Sequence, residues 1–224
     1  MDTTADEFMV DEQGVCNFCH QAQKALAEIK EEKYKLPEII KQIKKNGIGK
    51  RYDCLVGLSG GVDSSTVLHY AITEYGLRPL CFSIDNGYNS PLADENIMRL
   101  VEGLKVPFFR YTIDLDKFKE LQDAFMRAGQ KNVEIPTDAI IMATSYELAN
   151  KYKIRYIISG GNTSEESIMP PSFGYNARDL VHIKDVYKKV TGKKLTGLPM
   201  CGLLKFNYYK WIRKIKIINL LDYL

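Results

Sequence analysis

The chain has 224 residues, a mass of 25.6 kDa and a net charge of +3, from 31 basic and 28 acidic residues. With 45% hydrophobic and 26% charged residues it falls in the globular range, which excludes a disordered tail, a collagen-like repeat and a disulfide miniprotein. No run of eighteen apolar residues occurs, so a spanning helix is excluded, and folding should bury roughly 72% of the extended-chain surface, enough for a core without staples.

The opening MDTTADEFMVDEQ holds five acids and no Lys or Arg, the reverse of a secretory signal. Gly14 to His20 form a cysteine turn, and residues 21–46 are helix-forming, with Pro37 at a helix start. Asn46-Gly47-Ile48-Gly49 reads as a linker. From Tyr52 the pattern alternates. Short apolar runs at 53–58, 79–85, 107–112 and 155–159 are predicted strands. Helical segments are predicted at 64–75, from Ser90 to about Gly103, from about Asp114 to Ala128, and from Pro136 to about Tyr152. This predicts an α/β fold: an open parallel sheet with helices on both faces. The expected organisation is an N-terminal cysteine-bearing helical segment over residues 1–50, an α/β domain over 51–205, and the start of a helical region over 206–224. The last segment combines Trp211, Ile212, Ile215, Ile218 and Leu221 with several Lys and Arg; it reads as a basic amphipathic helix, of a kind that can lie on a membrane, with packing on the domain or on a neighbour as the preferred reading. Its apolar end suggests that a longer protein continues beyond it.

The chemistry points to Leu58-Ser59-Gly60-Gly61-Val62-Asp63-Ser64-Ser65, between a predicted strand and a predicted helix. The glycines let backbone N–H groups approach a ligand. Hydroxyls of Ser59, Ser64 and Ser65 can donate to phosphate oxygens, and the helix that follows offers free N–H groups and a positive dipole end. The loop is not GxxxxGK[ST], because no Lys follows the glycines, and GxGxxG is absent. The bland alternative is a glycine turn with a Ser or Asp helix cap. Ile84-Asp85-Asn86-Gly87 and Ser159-Gly160-Gly161-Asn162-Thr163 end two further strands at the same edge, where ligands of open α/β sheets bind.

SGGVDSS after an apolar strand resembles the PP-loop ATP pyrophosphatases, which include GMP, NAD and asparagine synthetases and tRNA thiolation enzymes. The resemblance implies cleavage of ATP between its α and β phosphates, with a substrate adenylate as intermediate. It implies nucleotide binding by Ser59, Gly60, Gly61, Val62, Asp63, Ser64, Ser65, Asp85, Gly160 and Gly161. Ser59 and Asp63 would be closest to the chemistry, and Mg2+ would offset the phosphate charge.

The segments Gly14-Val15-Cys16-Asn17-Phe18-Cys19, Gly161 to Ile168, and Gly174-Tyr175-Asn176 with Asp179 resemble a narrower group, the N-acetyl sugar amidotransferases of surface-polysaccharide (lipopolysaccharide) biosynthesis. That likeness implies an acetamido-sugar substrate reached by Asn162, Glu166, Ser167, Tyr175 and Asn176. It also implies ammonia from separate glutaminase and channelling subunits, since no glutaminase signature is visible here.

Cys16 and Cys19 have the spacing of half a zinc site, with His20, His182 and Cys201 the other residues worth naming; a plain cysteine pair is the alternative. Cys54 and Cys81 fall in strands and are expected in the core. The odd cysteine count and the missing export signal point to a reducing cytoplasm. The charge balance gives no argument for nucleic acid. Two other readings stay open: a tRNA thiolation enzyme, weakly favoured by nine basic residues against four acids over 24–51, and a nucleotide-binding module without chemistry.

Overall fold

A computed structural model describes residues 2–166 and 176–224. Five strands form one sheet: β1 (Cys54–Gly57), β2 (Pro79–Asp85), β3 (Phe108–Thr112), β4 (Tyr156–Ser159) and β5 (Lys216–Asn219). Their order is β3-β2-β1-β4-β5 and every pairing is parallel. The chain builds outward from β1 to β3, then returns to the other side of β1. The reversal lies between β1 and β4, and it opens a crevice at the carboxyl ends of those strands.

Helices follow the strands as the alternation predicts: α3 (Val62–Thr73), α4 (Pro91–Leu104), α5 (Leu115–Arg127) and α6 (Ile135–Lys151). The starts of α4, α5 and α6 each have a local cause. Ser90 Oγ accepts the Ala93 N–H and Pro91 fills the first turn of α4. Asp114 accepts the Lys117 N–H at the start of α5. Pro136 opens α6.

Alternation along β1 divides the core. Cys54 and Val56 face a cluster with Val67, Leu68 and Ala71 of α3 and Ile97 of α4. Leu55 faces the other side, with Phe82, Tyr146 and Ala149. The sheet is thus covered on both faces. Cys54 and Cys81 are fully buried, as expected.

The N-terminal segment forms α1 (Asn17–Glu32), a 3-10 turn (Lys33–Lys35) and α2 (Leu36–Gly47), with Pro37 in the first turn of α2. Leu36, Ile40 and Ile43 of α2 belong to the same core cluster as β1 and α3. Packing therefore runs across residue 50. Arg78 ties the joint: it donates to Gly47 O at 2.9 Å, Lys50 O at 3.0 Å and the buried Asp53 carboxylate at 2.6 Å.

After the short α7 (Thr163–Glu166) and α8 (Leu180–Thr191), the C-terminal region corrects the sequence reading. In place of one amphipathic helix over 206–224 stand α9 (Leu203–Asn207), a π-helical turn (Tyr208–Ile212), β5 and a 3-10 turn (Leu220–Tyr223). Lys214 at φ 55° turns the chain. Ile215 to Ile218 then suit a strand, and β4 supplies the unpaired edge that β5 fills.

Candidate active site at the sheet's carboxyl edge

The Ser/Gly loop occupies the turn between β1 and α3, beside the switch point. Gly60 has φ +80°, and a Cβ built on it would lie 2.4 Å from Ala93 O, so the loop rests on the backbone of α4. Asn96 Nδ2 donates to Gly60 O at 3.2 Å and pins it there. Within the loop, the Ser59 N–H donates to Ser64 Oγ at 3.2 Å, and the two hydroxyls lie 3.2 Å apart. No side chain caps α3. Its first N–H groups are left for an external acceptor, as a phosphate-binding helix start requires.

A cavity of about 460 Å³ lies over this loop. Ser59, Asp63 and Ser64 line one side, and Ser159, Gly160 and Gly161 from the end of β4 line the neighbouring wall. The fourth-strand loop fits closely: a Cβ on Gly160 would stand 3.0 Å from the Ser64 nitrogen. Phe82, Ile84, Ile113, Phe118, Ile140 and Ile141 supply an apolar wall, with Ser83, Asn86, Asn89 and Ser145 as polar points. The cavity thus combines surface for a charged, oxygen-rich group with surface for a flat apolar one.

The cavity gathers Ser59, Asp63, Ser64, Gly160 and Gly161 from the expected nucleotide-binding set. Other members play supporting parts or face elsewhere. Gly60 and Gly61 shape the turn, Val62 is exposed, and the Ser65 hydroxyl donates to Gly61 O at 2.7 Å. Asp85 is absent from the lining: its Oδ1 accepts the Gly87 N–H at 3.2 Å in an Asx turn, and its neighbours Ile84 and Asn86 line the cavity instead.

Among the expected substrate residues, Asn162 is buried and accepts the Ser164 hydroxyl at 2.7 Å, outside this lining. Asn176 caps a turn through the Arg178 N–H, beside a second cavity. Glu166 ends α7, and Ser167 and Tyr175 lie outside the described residues.

The residues missed by sequence reasoning are those of the apolar wall and Ser83, Asn89, Thr137 and Ser145. The available signal was a polar residue at an inward position of an apolar element, as at Ser83 in β2 and Ser145 in α6.

Asp63 is the one acid among the lining residues described and stands in the first turn of α3, a place that fits a magnesium partner of bound phosphates. Zinc fits less well. Cys16 and Cys19 sulfurs lie 3.2 Å apart, and Cys16 caps α1. However, no group of three or more His, Cys, Asp or Glu able to hold a metal occurs among the described residues. His20 turns to Asp11 at 2.6 Å, and His182 packs edge-on against Phe125. The hydrogen bond from the Cys19 thiol, with one from the Cys19 N–H, lowers the Cys16 thiol. Burial raises Cys201, which packs beside the Tyr146 cluster, and disfavours the thiolate that sulfur transfer would need.

The serine–glycine loop, the uncapped helix start and the switch-point cavity together define a PP-loop ATP pyrophosphatase of α/β architecture. Residues 33–199 match the family described as NAD synthase. The chain belongs to that family.

An uncharacterized protein, MJ1599, of Methanocaldococcus jannaschii is 28% identical over 146 residues, 65% of this chain and 50% of that protein. The chain thus spans about half the length of the curated relative it matches. Among solved structures, a glutamine-dependent NAD+ synthetase from Acinetobacter baumannii in complex with ADP is 21% identical, with a TM-score of 0.44, over 71% of this chain and 29% of that one. An NMN synthetase from Francisella tularensis gives 13% identity and a TM-score of 0.38 over 91% and 98% of the two chains. A predicted subunit of tRNA methyltransferase from M. jannaschii gives 17% and 0.42 over 75% and 68%.

Proposed function

We propose that this protein is a cytoplasmic, ATP-dependent amidotransferase that converts the acetamido group of a nucleotide-linked sugar into an acetamidino group. The observation that supports its ATP-using half is the gathering of Ser59, Asp63 and Ser64 with apolar side chains suited to a purine in one cavity at the carboxyl edge of the sheet.

In this reading the amide oxygen attacks the α phosphorus of ATP. The Pα–O bond to the β phosphate breaks, and pyrophosphate leaves with the electron pair. The product is an O-adenylated imidate. Ammonia adds at its carbon, the carbon–oxygen bond breaks, and AMP departs as the nitrogen loses a proton. An amide oxygen is a poor leaving group, and adenylation repairs that defect. The protein's part is positioning and charge stabilisation. Backbone N–H groups of the loop and of the start of α3 meet the departing phosphates, and the Ser59 and Ser64 hydroxyls donate to their oxygens. Asp63 would hold magnesium, which supplies the counter-charge. The resemblance to sugar amidotransferases assigns the ammonia supply to a separate glutaminase and channelling pair.

The test is a panel of nucleotide-linked acetamido sugars with ATP and ammonium, read by released pyrophosphate and by mass of the sugar product. Ser59→Ala and Asp63→Ala should each abolish release without changing the fold. Undiminished release by the double variant would remove the loop from the chemistry. Release that appears only with other acceptors would keep the loop and discard the sugar.

A further inference from the structure

α9 and the π-helical turn form one continuous stretch from Leu203 to Ile212 whose polarity is inverted. Phe206 and Tyr209 face the protein, with ring centroids 5.6 and 5.5 Å from Tyr146. Leu203, Leu204, Tyr208, Trp211 and Ile212 face outward; Leu204 is 87% exposed, Ile212 70% and Trp211 67%. Spacings of one, five, eight and nine positions from Leu203 keep these five on one side of a helix. An apolar face of this kind on a soluble domain calls for a partner.

The charge around it says which. Residues 176–216 hold eleven Lys and Arg against Asp179 and Asp185, leaving 20 basic residues against 26 acids for the rest of the chain's 31 and 28. Asp179 caps α8, and three of the lysines are paired, Lys189 with Asp185, Lys193 with Glu120 and Lys205 with Glu147, which leaves the segment with a basic excess. Lys184 lies beside Leu203 in the second cavity, and the Lys210 Nζ sits 5.3 Å from the Trp211 ring centroid.

We propose that this face seats the protein on an anionic lipid surface. Protruding aliphatic side chains, a Trp and a Tyr at their border, and Lys stems flanking them are the composition of an interfacial element, whose apolar side enters the acyl boundary while cations meet the headgroups. The basic surround disfavours a second copy of the same face, and nucleic acid offers no apolar counterpart to Leu203, Leu204 and Ile212. No helix among the described residues is long and apolar enough to cross a membrane, and the contact proposed for this face is an interfacial one. The inference stands independently of the adenylation chemistry.

Trp211 is the chain's single tryptophan, so its emission reports this face alone. The full chain is mixed with vesicles of phosphatidylcholine, with or without phosphatidylglycerol, and followed by sedimentation and fluorescence. Anionic vesicles should capture the protein and shift Trp211 emission to the blue, and raised salt should weaken capture. Leu204→Glu with Ile212→Glu should lower the binding constant at least tenfold while circular dichroism and melting stay unchanged. The milder Lys184→Gln with Lys210→Gln should weaken binding severalfold. Several results would overturn the proposal: no capture, equal capture by neutral vesicles, capture without a Trp211 shift, or wild-type binding by the glutamate variant. So would a dimer in light scattering that the glutamate variant dissolves, which would assign the face to self-association, or a blue shift with an acidic protein partner and none with vesicles.

Discussion

Gly60 separates two costs that glycine substitutions usually mix. Gly49 and Gly60 both have positive φ, +73° and +80°. A Cβ at Gly49 meets nothing within 4 Å, whereas at Gly60 it would sit 2.4 Å from Ala93 O and 2.7 Å from Ala93 Cα. Gly49→Ala should therefore cost only the left-handed conformation, about 1–2 kcal/mol. Gly60→Ala carries that cost and a collision with backbone, which adds about 1–3 kcal/mol. Relief requires the loop to leave α4, breaking the bond from Asn96 to Gly60 O and moving Ser59 and Asp63. For a chain of this size each kcal/mol lowers the melting temperature by about 2–4 °C. The expected pattern is a modest fall for Gly49→Ala with intact nucleotide binding. Gly60→Ala should melt lower still and bind nucleotide at least about tenfold more weakly, as measured by calorimetry. Equal melting and equal affinity in the two variants would refute the claim that contact with α4 shapes the loop.

Gly160→Ala places a methyl 3.0 Å from the Ser64 nitrogen, so ATP affinity should fall about tenfold in titration calorimetry with a loss of only about 1–2 kcal/mol in denaturant unfolding. Arg78→Ala removes the charged partner of the buried Asp53 at the opposite edge of the sheet; because the Arg78 side chain is half-exposed, unfolding should show a loss of about 1–3 kcal/mol, with pyrophosphate release per folded molecule unchanged. Burial pushes the Cys81 thiol up to about 12 and also raises Cys54 well above the ordinary thiol range, while Cys16 is lowered by its hydrogen bonds with Cys19. Mass-mapped alkylation near pH 8 should then label the Cys16/Cys19 pair first, and Cys54 and Cys81 only on unfolding.

Strands β1 to β4 and the helices between them were legible because each carries its own punctuation. Ser90-Pro91, Asp114 and Pro136 open helices, and Gly57, Asn86-Gly87 and Gly160-Gly161 close strands. β5 was not legible. Ile212, Ile215, Ile218 and Leu221 share a helical spacing, and only the free edge of β4, fixed by distant residues, selects the extended form. The cavity divides the same way. Its phosphate-facing side sits in one contiguous loop and could be read residue by residue. Its apolar wall draws on Ile113 just after β3, Phe118 of α5 and Ile140 and Ile141 of α6, which in sequence look like any core positions. Asp85 stands outside this lining for a local reason: its Oδ1 accepts the Gly87 N–H in an Asx turn.

The strand missed in the sequence also bears on the site. β5 delivers Asp222 to the start of α7, where its carboxylate accepts the Thr163 N–H at 2.7 Å and the Thr163 hydroxyl at 3.2 Å. Thr163 lies two residues after Gly161, so the C-terminal turn holds one end of the loop whose other end is Ser159, the last residue of β4. Two backbone stretches thereby meet with little freedom to part. The Ser/Gly loop is fixed to α4 through Gly60, and the fourth-strand loop is fixed to the C-terminal turn through Thr163. They touch where Gly160 passes Ser64. A site held from both sides in this way presents its N–H groups and hydroxyls before any ligand arrives, which is what stabilising a charge that develops only during reaction requires.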